Sequence, residues 1–215
     1  LGYDDQALIN RIEYAGLKIK FVNDDFCKIE DAEKVDLIFI SPSVDYAKIK
    51  FIYKYVDKPV FVGEPYLLNY MALADNIGAT VLSNQESIEI INDSHPLGAG
   101  MLGKTKVSKG LQYLSCAKPG PEAIRIAYAD GDSSVCTIFA YNTSDAMFDF
   151  YAPAKRIAFF LYDFTASDFT EEGEKLFDAA IQWAISTEDI DAFTVTLQSD
   201  INGSVIPAPI HNTGW

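Results

Sequence analysis

The chain has 215 residues, 49% of them hydrophobic and 22% charged, the balance of a globular protein with one α/β-sized domain and a short remainder. Seventeen Lys and Arg against 31 Asp and Glu give a net charge of −14, a surface that repels phosphate backbones and anionic lipid, so nucleic acid is excluded as a partner. No run of the sequence approaches the roughly 20 apolar residues of a membrane-spanning helix, and neither a membrane span nor disorder is expected.

In chain order, Asp4 and Asp5 stand at a helix start, and Ala7, Leu8, Ile12 and Ala15 recur at helical spacing until Gly16 stops them, which predicts a helix over 4–15. Leu17-Lys-Ile-Lys-Phe-Val22 reads as a strand, and Val35-Asp-Leu-Ile-Phe-Ile-Ser41 as an apolar run buried on both faces of a parallel sheet. A helix over 45–55, a strand over 58–62, a helix over 65–74 and a strand over 79–82 follow. This alternation predicts a mainly parallel sheet covered by helices on both faces.

From residue 87 to 160 the apolar runs are short, β-rich and separated by Gly, Pro and Asn. Strands are expected at 104–107, 112–115, 123–129, 135–141 and 156–161, with antiparallel pairs among them. Thr170 then caps a last helix with an acidic first turn, whose apolar face carries Leu176, Phe177, Ala180, Ile181, Trp183 and Ala184. The domain is placed at 1–188. Residues 189–215 read as an extended arm, in which Phe193, Val195 and Leu197 alternate with threonines at strand period before a Pro-rich end.

Few residues carry chemistry. Glu64 follows an apolar strand, at the carboxyl end where open α/β sheets place ligands. It reads as an acid/base or sugar-binding group, or more plainly as an acceptor for the next turn. Tyr66 beside it could stack on a sugar ring or pack at a helix start, and Tyr70 would extend such a surface. His95, in Asp93-Ser-His-Pro-Leu-Gly98, is a ligand candidate whose plainer role is to fix its loop.

Asp130 and Asp132 form half a calcium loop without the late bidentate Glu, which a hairpin turn explains as well. Cys27, Cys116 and Cys136 show no zinc spacing and read as buried thiols, with a Cys116–Cys136 bridge as the alternative in an oxidising compartment. No cofactor is expected, because the glycines of Gly98-Ala-Gly-Met-Leu-Gly103 follow His-Pro rather than a strand and no Walker sequence occurs. Asn92, Asn142 and Asn202 each open an N-x-S/T sequon and are glycosylation candidates. The first residue is Leu1, as in a processed chain or a piece of a longer one.

Several runs together resemble the class I glutamine-amidotransferase-like superfamily, near the ThuA-like domains of secreted multidomain proteins. They are Asp36-Leu-Ile-Phe-Ile-Ser-Pro-Ser-Val44, Lys58-Pro-Val-Phe-Val-Gly-Glu-Pro-Tyr66, Asn92-Asp-Ser-His-Pro-Leu-Gly-Ala-Gly100, Ile138-Phe-Ala-Tyr141, Ala152-Pro-Ala-Lys-Arg-Ile-Ala-Phe-Phe160 and Leu176-Phe-Asp-Ala-Ala-Ile-Gln-Trp-Ala184. The resemblance implies a three-layer α/β/α fold over about residues 3–186. It also implies a central first strand ahead of the first helix, where this chain has only Leu1-Gly-Tyr3.

The family's nucleophile position, after the strand over 60–62, reads Gly63-Glu64-Pro65, and its later His and Glu positions read Tyr162-Asp-Phe-Thr165, so the triad is absent. The expectation is a non-enzymatic structural or assembly module of an exported, extracellular or cell-surface protein. It would associate with itself or with neighbouring domains of its own polypeptide, its sheet completed by strand donation through Phe193, Val195 and Leu197. The alternatives are a carbohydrate-binding accessory domain and a carboxylate-dependent carbohydrate-active hydrolase.

Overall fold

A computed structural model describes residues 3–75, 80–187 and the short strands at 198–199 and 205–206. Helix α1 (Tyr3–Tyr14) begins with Asp4 and Asp5 over its first turn, carries Arg11 in its last, and stops at Gly16, whose φ of +84° suits glycine. The next expectation fails. Residues 17–22 keep the alternate burial of a strand, with Leu17 and Ile19 half-buried and Lys18 and Lys20 exposed, but they join no sheet among the described residues. Two 3-10 turns, Asp24–Phe26 and Ile29–Lys34, then lead to β1 (Ile38–Ile40).

The helices over 45–55 and 65–74 are each cut to one turn. Asp45 caps α2 (Tyr46–Ile49), and the backbone breaks at Lys50 with φ +32°. After β2 (Val60–Val62), α3 (Leu67–Tyr70) ends where Ala72 turns left-handed at φ +60°. Burial rather than helix propensity holds this stretch, since Ile49, Tyr53, Leu67, Leu68, Met71 and Leu73 all face the core.

Next come β3 (Thr80–Gln85), β4 (Ser87–Ile90), which the sequence reading missed, β5 (Gly103–Lys106) and β6 (Gln112–Cys116). After them stand β7 (Ile124–Ala129), β8 (Asp132–Tyr141), β9 (Arg156–Ala158) and α4 (Glu171–Ile185). Seven of these strands form one sheet in the order β1-β2-β9-β8-β7-β4-β5. The pairs β1–β2 and β2–β9 are parallel, and the junctions from β9 to β5 are antiparallel. Strand β3, expected in the main sheet, pairs instead with β6 as a separate antiparallel ribbon.

The fold is α/β, and period-2 alternation sorts the sheet residues between two helical layers. Phe61, Ile157, Ile138 and Ala140 face α1 and α4 together with Leu8, Ile12, Leu176 and Phe177. Val60, Val62, Ala158, Phe139 and Tyr141 face the 44–74 segment. Helix α4 forms as its sequence demands: the Thr170 hydroxyl accepts from the Gly173 amide at 3.1 Å, and Leu176, Phe177, Ala180, Ile181, Trp183 and Ala184 are buried.

Gly173 is needed for close approach rather than flexibility, because a Cβ there would stand 2.4 Å from the Val107 carbonyl oxygen. That same oxygen accepts the Thr170 amide at 3.0 Å. Alanine normally gains about 1 kcal/mol over glycine inside a helix. Gly173→Ala is nevertheless expected to lose about 1–3 kcal/mol, because the clash is with backbone that cannot rotate away, as a urea denaturation midpoint would show.

In the arm, β10 (Gln198–Ser199) and β11 (Val205–Ile206) pair antiparallel. Phe193, Val195, Leu197 and Asn202 lie outside the described residues.

Candidate functional site

Three loops leave the carboxyl ends of the adjacent parallel strands β1, β2 and β9: residues 41–45, 63–66 and 161–165. They converge because their strands are neighbours, although β9 lies almost a hundred residues beyond β2 in sequence. Gly63 makes the fit: its amide donates to the Ile40 oxygen at 2.8 Å. A Cβ at Gly63 would come within 2.7 Å of that oxygen and 3.2 Å of both Leu161 Cδ1 and Pro42 Cδ.

Glu64 sits where these loops meet and is only 5% exposed. Its Oε1 accepts the Tyr66 amide at 3.0 Å, which is the turn-fixing role read from sequence. Burial nonetheless pushes its carboxyl up to about 7, helped by the nearby charges of Asp163 and Asp45. Glu64 therefore holds or releases a proton near neutral pH, serving as donor in one state and acceptor in the other.

Carboxylates crowd this end of the sheet. Asp5 Oδ1 accepts from the Ser41 and Ser43 hydroxyls at 2.6 and 2.8 Å, tying α1 to the loop after β1. Asp4 accepts the Ser167 amide at 2.7 Å, and burial raises its pKa. Asp45 caps α2 through the Ala47 amide. Such a field disfavours anionic ligands.

Aromatic rings cluster beside Glu64. Tyr66 packs against Tyr46 with centroids 5.5 Å apart, Tyr46 stacks on Tyr70 at 6.1 Å, and Phe51 closes edge-on against Tyr70 at 5.5 Å. Across the site Tyr162 meets Tyr113 at 5.7 Å, and its phenol is raised by burial and by Tyr66, Asp163 and Glu64 beside it. Tyr46, Phe51, Tyr66 and Tyr113 are exposed. The rings form an open platform. Two half-open hollows lie elsewhere: one between α1, residues 166–169 and α4, the other beside the outer edge of β1.

The strand-end rule that singles out Glu64 could also have found Ser41, Ser43, Tyr162 and Asp163, because each follows a parallel strand. Tyr46 and Tyr113 carry no such signal and enter only through packing.

The other sequence candidates stand apart. His95 lies by the opposite end of the parallel strands, against Trp183 at 5.4 Å and near Lys155, which precedes β9. Its Nδ1 accepts the Leu97 amide at 3.2 Å, and burial and the Lys155 charge press its pKa down to about 4, so it is a neutral loop-fixing group. Asp130 pairs with Lys104, and Asp132 accepts the Ser134 amide within the β7–β8 hairpin, where Gly131 adopts φ +77°. The hairpin accounts for the calcium-like pattern, and no metal-holding cluster occurs among the described residues.

The cysteines form no disulfide, and burial raises the Cys136 thiol to about 12, so the Cys116–Cys136 bridge is corrected. Asn92 Oδ1 accepts from Ser94 and His95, Asn142 Oδ1 is buried, and both side chains are half-buried.

No family model and no curated protein matches the chain. A solved structure described as a cytoplasmic protein from Salmonella typhimurium matches with a TM-score of 0.55 and 12% identity, over 82% of this chain and 85% of that one. At that identity the likeness shows the fold alone. It corrects the expectation of an extracellular or cell-surface chain, since the neighbour sharing the fold is described as cytoplasmic. No helix among the described residues is long and apolar enough to cross a membrane.

Proposed function

We propose that the chain is a non-enzymatic binding module whose aromatic platform takes a neutral or amino sugar, on an amidotransferase-like scaffold without that family's triad. The observation that carries this reading is the coincidence of a buried, proton-holding Glu64 with the Tyr66–Tyr46–Tyr70 stack. Sugar rings present apolar C–H faces ringed by hydroxyls. Tyrosines bury such faces and answer the hydroxyls with their own. Glu64 supplies an oriented hydrogen-bonding partner at the centre, and the surrounding carboxylates select against acidic or phosphorylated sugars. An open platform favours binding over hydrolysis, which calls for a water-excluding enclosure around the scissile bond.

Calorimetric titration of neutral, amino and acidic oligosaccharides tests the proposal. Neutral or amino sugars are expected to bind, acidic ones are not, and Tyr66→Ala is expected to weaken binding about tenfold or more. Equal binding by wild type and Tyr66→Ala would refute the platform. Release of reducing ends by wild type, lost in Glu64→Gln, would establish the hydrolase reading instead.

A further inference from the structure

The hollow between α1, residues 166–169 and α4 has a volume of about 330 Å³, the size of a small-molecule site, and it exists because α1 is tied down at both ends. At the start of the helix Asp4 Oδ1 accepts the Ser167 amide at 2.7 Å. In its last turn Arg11 Nε donates to Asp178 at 2.7 Å and Nη1 to Glu174 Oε2 at 2.9 Å, which clamps it to α4. Between the ties Ala7, Ala166 and Ser167 line the gap and are too small to fill it, while Leu8 and Phe169 give it a buried apolar side.

Opposite charges line this space with bonding capacity to spare. Glu174 gives Arg11 one oxygen, and its Oε1 accepts from no group among the described residues. Lys109, on the turn that follows β5, lines the hollow as well and forms no ion pair among the described residues. Its neighbour Asp168 spends Oδ2 on the Ser108 hydroxyl, the Gly110 amide and the Gln112 side chain. An open carboxylate oxygen, an ammonium and an apolar side thus share one small volume.

We propose that this hollow binds a free α-amino acid with an aliphatic side chain, its ammonium on Glu174, its carboxylate on Lys109 and its side chain against Leu8 and Phe169. The site is separate from the one around Glu64 and does not depend on the sugar reading. A ligand carrying both charges answers both charged walls. A carboxylate alone meets a chain of net charge −14, whose field repels anions. An amine alone leaves Lys109 unanswered and adds its charge to those of Lys109 and Arg11. The zwitterion is neutral overall and escapes both penalties, and burial of its aliphatic side chain adds a gain that glycine lacks.

Titration of the full 215-residue chain with L-leucine, followed by amide NMR shifts, tests the proposal. Saturable shifts are expected at Ala7, Lys109 and Ser167 and not at Glu64 or Tyr66. Isopentylamine, which is leucine without its carboxylate, and isocaproate, which is leucine without its ammonium, are each expected to bind about tenfold or more weakly. Lys109→Met and Glu174→Gln are each expected to lose about tenfold in leucine affinity, and both leave the Arg11–Asp178 pair in place, so α1 stays clamped. Absence of a saturable shift at the three amides would overturn the proposal, as would binding of the amine or the carboxylate as tight as that of leucine. Leucine affinity unchanged in both variants would put the amino acid elsewhere and overturn it too.

Discussion

Replacing Arg156 with alanine is expected to cost about 3–5 kcal/mol of stability. The side chain is completely buried, and every hydrogen bond recorded for it ends on a backbone carbonyl. Its Nη1 donates to Lys58, Ala154 and Lys155 at 2.9–3.1 Å, and its Nη2 to Val56 at 2.7 Å and Lys54 at 3.3 Å. One guanidinium thus gathers the carbonyls that end the 51–58 turn and those that begin β9. Burial lowers its pKa to about 10, which leaves it charged at neutral pH, and Nε has no partner among the described residues.

Alanine would strand these carbonyls and open a cavity beneath the strand that anchors the candidate site. Lysine would not repair the loss, because a compact ammonium cannot span the carbonyls that a planar fork reaches. Arg156→Met separates the contributions: it keeps volume and removes both charge and donors, so it is expected to fall between alanine and wild type. Urea denaturation of the three variants checks the order. An alanine variant within about 1 kcal/mol of wild type would mean that the carbonyls are satisfied without the arginine.

Glu64→Gln is expected to raise stability at alkaline pH while weakening the proposed sugar site. In the folded chain Glu64 keeps its proton up to about pH 7, whereas unfolded it releases it near the ordinary 4.5. Between those values the unfolded state binds fewer protons, so wild-type stability falls as pH rises through the window. Glutamine does not titrate. The difference between variant and wild type should therefore grow from near zero at pH 4.5 to about 2–3 kcal/mol above pH 7.

His95 acts in the opposite sense. Its folded pKa of about 4 lies below the ordinary 6.5, so the unfolded state binds more protons between those values. Stability from His95 is full above pH 6.5 and is lost as pH falls toward 4. The two trends offset one another in wild type. In Glu64→Gln the rise from His95 should stand alone between pH 4 and 6.5. Urea midpoints for both proteins at pH 4.5, 6 and 8 provide the check, and a variant advantage that stays constant with pH would show that Glu64 ionises normally.

Sequence and structure agree best where one local pattern decides the outcome. Helix α4 carries its Thr170 cap, its acidic turn and its buried face in fifteen consecutive residues, and β2 and β8 are read from apolar runs alone. Agreement fails where an element depends on a partner. Residues 17–22 have strand alternation, but a strand exists only when its backbone groups are paired, and among the described residues this segment pairs with no strand. The 45–55 and 65–74 patterns look helical because apolar residues recur at helical spacing. The chain breaks them at Lys50 and Ala72 to lay Tyr53, Met71 and Leu73 onto the sheet, since burial outweighs the small preference for continuing a helix.

For function, the sequence by itself determined the α/β class and the position of Glu64 at a strand end, because each is written in adjacent residues. Only the tertiary structure decided what surrounds Glu64. The order β1-β2-β9 brings Asp45, Tyr66 and Asp163 around one carboxyl from three distant stretches of chain. Burial and like charge, which no linear pattern encodes, then raise its proton affinity into the neutral range.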